Sequence, residues 1–195
     1  MPGNGSSFLG SLVNVGGTLL FAADDGVHGQ ELWRSDGTAA GTIMVKDIWP
    51  GANSSLLRNF TVVNGRLFFV ANDGTPRFSA DSSNQIWVSD GTASGTFIIK
   101  LFPPTDSICS TCPLENLANV NRTLFFTFNR DLWKTDGTEP GTSLVFTDHG
   151  ALSHPTALQG TLFFTVKDRT NNANIWKSDG TPQGTVLASE ALDSE

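Results

Sequence analysis

The chain has 195 residues, 38% of them hydrophobic, which is enough for one all-β domain or two small ones with a sizeable core. Its 12 Lys plus Arg against 19 Asp plus Glu leave a formal charge of −7, and the basic residues are scattered singly, so nucleic acid and anionic membranes are poor partners. No apolar run approaches the length of a membrane-spanning helix, and Met1-Pro-Gly-Asn-Gly5 lacks the charged and apolar regions of a secretory leader; the expectation is a soluble stretch excised from a longer secreted polypeptide.

One phrase occurs four times: Glu31-Leu-Trp-Arg-Ser-Asp-Gly-Thr-Ala-Ala-Gly-Thr42, Gln85-Ile-Trp-Val-Ser-Asp-Gly-Thr-Ala-Ser-Gly-Thr96, Asp131-Leu-Trp-Lys-Thr-Asp-Gly-Thr-Glu-Pro-Gly-Thr142 and Asn174-Ile-Trp-Lys-Ser-Asp-Gly-Thr-Pro-Gln-Gly-Thr185. Its tryptophans, Trp33, Trp87, Trp133 and Trp176, stand 54, 46 and 43 residues apart, a period of propeller blades rather than helical repeats. The repeats run over about 6–50, 51–103, 104–148 and 149–195, within a single domain expected over 1–195.

In the first repeat Gly16-Gly17 marks a hairpin, Leu19-Leu-Phe21 an apolar second strand, and Leu32-Trp33 the third. Asp24 and Asp25 end the second strand, where they read as an ordinary polar turn or as oxygen donors to a cation such as calcium. Trp49, outside the repeated phrase, sits on a connecting loop as a sugar or protein contact, or as cover for an adjacent blade. The second repeat shows the unit most plainly: Asn59–Val63, the turn Asn64-Gly65, Arg66–Ala71, Gln85–Ser89 and Thr96–Lys100, with Asn72 and Asp73 in the place of Asp24 and Asp25. Between the second and third repeats lies a Pro-rich loop with Cys109 and Cys112. One Cys-x-x-Cys is half a zinc site, and no βαβ unit surrounds it, so a loop-stapling disulfide is expected, with free thiols the alternative. Asn121-Arg122 and Gln159-Gly160 mark the hairpins of the third and fourth repeats.

The second strands, Leu19–Phe21, Leu67–Val70, Leu124–Phe126 and Leu162–Phe164, are continuous apolar runs rather than alternating ones. Successive side chains of a strand point to opposite faces, so such runs require burial on both faces, which a two-layer sandwich does not provide. Sheets stacked face to face around an axis do provide it. The predicted fold is therefore an all-β β-propeller with four four-stranded antiparallel blades, either a closed four-bladed ring or half of a larger ring, which a homodimer would complete.

In the turn after each Trp, Asp36, Asp90, Asp136 and Asp179 are expected to accept backbone N–H bonds two residues on, with the next Gly at positive φ. The second Gly (41, 95, 141, 184) fits a bulge that re-enters the strand. Trp33, Trp87, Trp133 and Trp176 are expected in the blade core.

These residues resemble the signature of bacterial ELWxxDGT repeat proteins, large secreted or surface-associated polypeptides built from tandem copies. The first repeat matches best, with Ala23-Asp-Asp-Gly-Val-His-Gly29 before it; the others replace its Glu by Gln85, Asp131 and Asn174. The turn also resembles the Asp-box of sialidase-type propellers, although here Trp precedes Asp. The resemblance implies an extracellular or cell-surface location and carries no activity with it.

The expected function is a non-catalytic binding or adhesion module without cofactor, with protein or carbohydrate as ligand. An architectural self-associating scaffold is the alternative, and a glycan-cleaving enzyme the third reading, because no motif assembles a catalytic group.

Overall fold

The computed structural model describes residues 11–75, 84–102, 114–147, 150–167 and 172–189. Cys109 and Cys112 lie outside them. The described residues form sixteen strands and no helix, in four antiparallel sheets whose strands lie side by side in chain order. Blade 1 comprises β1 (Leu12–Val15), β2 (Thr18–Asp24), β3 (Gln30–Ser35) and β4 (Ile43–Lys46). Blade 2 comprises β5 (Arg58–Val63), β6 (Arg66–Asn72), β7 (Asn84–Ser89) and β8 (Phe97–Lys100). Blade 3 comprises β9 (Glu115–Val120), β10 (Thr123–Phe128), β11 (Asp131–Thr135) and β12 (Ser143–Phe146). Blade 4 comprises β13 (Ala151–Leu158), β14 (Thr161–Lys167), β15 (Ala173–Ser178) and β16 (Val186–Ser189). The chain divides into two compact units, Met1–Thr111 and Cys112–Glu195, so blades 1 and 2 belong to the first and blades 3 and 4 to the second.

The first hairpin of every blade turns on two residues of positive φ, the geometry that matches strand twist. Asn64 and Gly65 stand at 51° and 69°, and Asn121 and Arg122 at 48° and 66°. Arg122 adopts the left-handed conformation without glycine's freedom, so the third repeat carries Arg where the other three carry Gly and keeps the same turn.

Two bulges recur that periodicity did not reveal. The first strands of blades 2, 3 and 4 each carry a left-handed residue at a register shift: Asn59, Asn116 and His154. The fourth strands insert one residue opposite the Leu/Ile-Trp pair, namely Val45, Ile99, Val145 and Ala188. The first three of these extra residues are buried.

In the first unit, Leu20, Ala22, Leu32 and Val45 of blade 1 pack against Leu67, Phe69, Ala71 and Trp87 of blade 2. In the second, Phe125, Leu132 and Val145 of blade 3 pack against Leu162, Phe164 and Val166 of blade 4. Leu67 to Ala71 are all buried, so both faces of β6 are covered, as its unbroken apolar run requires. Trp87 is buried within this core, whereas Trp33, Trp133 and Trp176 are half-buried.

Candidate functional site

The repeated polar phrase closes on itself. Asp36 Oδ1 accepts the Thr38 N–H at 2.9 Å and the Thr38 hydroxyl at 2.7 Å, and Thr38 Oγ1 accepts the Gly41 N–H at 2.9 Å. Thr42 Oγ1 donates its proton to the Thr38 carbonyl at 2.7 Å, so toward Ser35 Oγ, 2.7 Å away, it can only accept. Ser35 Oγ in turn accepts the Gly37 N–H. The same network recurs in residues 89–96, 135–142 and 178–185. Bonds from the following Thr, backbone and hydroxyl, lower the pKa of Asp36, Asp90 and Asp179 below the usual carboxylate value. These carboxylates are acceptors in a turn.

The first Gly of the phrase has φ near +90°, for instance +92° at Gly37 and +88° at Gly91. The second Gly differs from the sequence expectation. Its φ is not positive, and the bulge lies further on, at Val45 and its equivalents. Space requires it instead: a Cβ at Gly95 would lie 2.0 Å from Asp90 Oδ1. Gly95→Ala is therefore expected to displace the carboxylate, break its bonds to Thr92 and lower stability by about 2 kcal/mol in a denaturant titration. A loss below about 0.5 kcal/mol would show that the turn relaxes around the methyl group.

Among the described residues a second polar assembly occurs once, in the first unit, where β2 and β6 end. β2 pairs Asp24 with Gln30, which leaves residues 25–29 as a loop. Asp24 Oδ1 accepts the Gly26 N–H at 2.7 Å, and Asp25 Oδ1 accepts those of Val27 and His28 at 2.9 and 2.8 Å. Asp25 Oδ2 lies 2.7 Å from His28 Nδ1. Partial burial opposes ionisation of Asp25, but the His28 and Val27 bonds outweigh it and bring its pKa down to about 2. The Asp25 bond raises that of His28. At the end of β6, Asn72 Oδ1 accepts the Gly74 N–H at 2.8 Å, and Asp73 Oδ1 that of Thr75 at 3.1 Å.

The connecting loop 47–55 joins the two ends. Its Ser55 N–H donates to the Gln30 carbonyl at 3.0 Å, and its Ser55 carbonyl accepts the Asn72 N–H at 2.9 Å, so the loop bridges β3 and β6. Gly29 meets the loop backbone directly: a Cβ there would lie 2.4 Å from the Asn53 carbonyl oxygen. Beneath the loop is Glu31, fully buried. Its Oε2 accepts the Ile48 N–H at 2.7 Å; its Oε1 accepts the Trp49 N–H at 3.3 Å and the Ser55 hydroxyl at 2.5 Å. Desolvation raises its pKa to about 7 against these three bonds, and the neighbouring Asp47 charge pushes the same way. Trp49 lies half-buried on this loop with its indole over Gly74, where a Cβ would fall 2.2 Å from Nε1.

Trp49, Asp24, Asp25, Asn72 and Asp73, which sequence analysis singled out separately, thus share one rim. Glu31 and Gly74, which hold Trp49 in place, were missed. The signal for Glu31 was present: a lone carboxylate in a buried strand, in the one repeat that also keeps the 24–29 loop. Among the described residues no three His, Cys, Asp or Glu side chains group as a metal site.

No family model matches this sequence, and no curated protein does. Among solved structures, a prolyl endopeptidase studied for the role of inter-domain dynamics in catalysis and specificity is similar over 97% of this chain, with a TM-score of 0.58 at 14% identity. The fold is that of a β-propeller. This propeller chain spans about a quarter, 27%, of that enzyme's length, and at such identity the likeness concerns the fold alone. Prolyl oligopeptidase B from Galerina marginata is similar over 91% of the chain and 26% of its own, at 16% identity and a TM-score of 0.49. An alpha-L-arabinofuranosidase from Clostridium thermocellum is similar over 93% of the chain and 71% of its own, at 12% identity and a TM-score of 0.37.

Proposed function

We propose that this propeller is a non-catalytic binding module of a secreted or surface-associated protein, and that the rim of residues 24–29, 47–55 and 72–75 is its contact face. The observation that carries the reading is Trp49, whose indole is part-exposed while its backbone is held by Glu31 and its ring by Gly74. An aromatic plane fixed before binding loses little freedom on contact, so the part of its surface left exposed can stack on a ligand at little entropic cost. The turns that carry Asp24, Asp25 and Asp73 lie on the same rim, and carboxylate acceptors beside an aromatic plane suit a polyhydroxylated ligand, which makes carbohydrate the ligand class. The resemblance to secreted ELWxxDGT repeats supports the location.

The test is a glycan array followed by calorimetry on the best ligand. Trp49→Ala is expected to weaken binding at least about tenfold, equivalent to 1.4 kcal/mol, without losing the cooperative unfolding transition. A wild-type chain that binds no glycan, or a Trp49→Ala chain that binds as well as wild type, would overturn the reading and leave the architectural scaffold in its place.

A further inference from the structure

The segment between β4 and β5 is anchored differently at its ends and in its middle. Ile48 and Leu57 pack in the core of the first unit, whereas the loop between them is tied down by polar contacts and by the Trp49 ring on Gly74. The Trp49 N–H and the Ser55 hydroxyl donate to Glu31 Oε1, the Ser55 N–H to the Gln30 carbonyl, the Gln30 N–H to Ser54 Oγ at 3.0 Å, and the Asn72 N–H to the Ser55 carbonyl. Glu31 also takes the Ile48 N–H on its other oxygen, so one carboxylate grips the loop at both ends.

The charges around Glu31 are mostly of its own sign. Asp47 on the loop repels it, and Asp47 Oδ1 is buried without a hydrogen-bond partner among the described residues. His28 on the 25–29 turn lies within reach of the Glu31 charge but is paired with Asp25. Lys46, just before the loop, donates instead to the Thr96 carbonyl of blade 2, and Asp73 beyond β6 accepts the Thr75 N–H in its own turn. Across β2, Glu31 faces the apolar Ala23. A proton on Glu31 relieves both its desolvation and the Asp47 repulsion, which is why its pKa stands at about 7. With the loop lifted, the carboxylate meets water and returns toward the ordinary 4.5.

We propose that Glu31 is a proton-operated latch on the Trp49 loop: protonated, it lets the loop lie shut with the indole on Gly74, and ionised, it favours lifting of the loop about the anchors Ile48 and Leu57. Linkage sets the sign. The shut form holds the proton more tightly than the lifted form, so shutting is fully favoured below about pH 4.5 and loses that advantage as pH rises to about 7. The ionised carboxylate still accepts the three loop donors, so the population of lifted loop grows without the loop being released outright. The consequence for ligands rests on the carbohydrate reading, under which binding at Trp49 weakens as pH rises. The latch itself involves residues of the first unit alone.

The test is native-state hydrogen exchange of the full chain without ligand, followed by NMR from about pH 5 to 8 in wild type, Glu31→Gln and His28→Gln. Each amide's rate is divided by its intrinsic rate at that pH. The Trp49 and Ser55 amides are expected to exchange faster than those of β6 at every pH, through an opening that leaves the core intact. Their protection should fall at least about tenfold across the range in wild type and in His28→Gln, and stay flat in Glu31→Gln. Loop amides that exchange only together with β6 would overturn the latch, since no separate opening then exists. So would protection that does not fall in wild type, that still falls in Glu31→Gln, or that becomes flat in His28→Gln. The comparison of loop with β6 in wild type holds even where a variant fails to fold. No glycan is present, so a failed glycan array leaves these rates untouched, and a loop that does not titrate leaves the Trp49→Ala test standing.

Discussion

Trp87→Ala is expected to lower the free energy of unfolding by about 3 to 5 kcal/mol, the largest single effect in the first unit. The ring is 5% exposed and packs with Leu20, Leu32 and Val45 of blade 1, so truncation opens a cavity between two sheets rather than at a surface. It stacks on Phe69 with centroids 6.2 Å apart and planes 23° from parallel, and Lys46 Nζ stands 5.9 Å from its centre. Lys46 also donates to the Thr96 carbonyl at 2.9 Å, so loss of the ring loosens a second tie between the blades. Trp87→Phe separates packing from polarity. The buried indole N–H has no hydrogen-bond partner among the described residues, so replacing it with Phe removes an unsatisfied donor and should cost only about 1 kcal/mol. Urea unfolding followed by circular dichroism measures both. A near-zero loss for Trp87→Ala would remove Trp87 from the core.

The second large effect is a stability that falls as pH rises from about 4.5 to 7. Glu31 has an ordinary pKa of 4.5 when unfolded and one of about 7 when buried. Between these values the unfolded chain releases a proton that the folded chain keeps. The folded state therefore holds its full advantage below pH 4.5, loses it progressively up to about 7, and changes no further above that. The shift corresponds to roughly 3 kcal/mol. The raised pKa of His28 acts in the same direction, since its charged form is favoured in the folded chain and that gain is lost as pH rises. A His28→Gln background isolates Glu31. In that background Glu31→Gln, which copies Gln85 of the second repeat, should make stability nearly flat between pH 4.5 and 7. A slope as steep as that of the parent chain would show that Glu31 does not set it. Asp25, Asp36, Asp90 and Asp179 have lowered pKa values, so their contributions are lost at lower pH, outside this window.

Strand order, hairpin positions and the blade as a unit were legible in the sequence, because each depends on neighbours within a few residues. Asn64-Gly65 selects a turn, Leu67 to Ala71 demand two covered faces, and Asp90 finds its acceptor role two residues away. The recurring bulges were not legible: Val45 is buried because the register shifts opposite Trp33, and a register is a property of two strands. Nor was the role of the second Gly, which depends on where the Asp90 carboxylate falls in space.

By itself the sequence determined the architecture, since a repeated local pattern of turns and apolar runs needs no distant partner to be read. Only the tertiary structure decided that Glu31 is the buried post of the 47–55 loop and that Trp49, Asp25 and Asp73 stand on one rim. Those relations join segments from two blades, through contacts such as Glu31 with Ser55 and Trp49 with Gly74. Contacts between segments so far apart along the chain depend on how the sheets pack, and no periodicity along one strand encodes that packing.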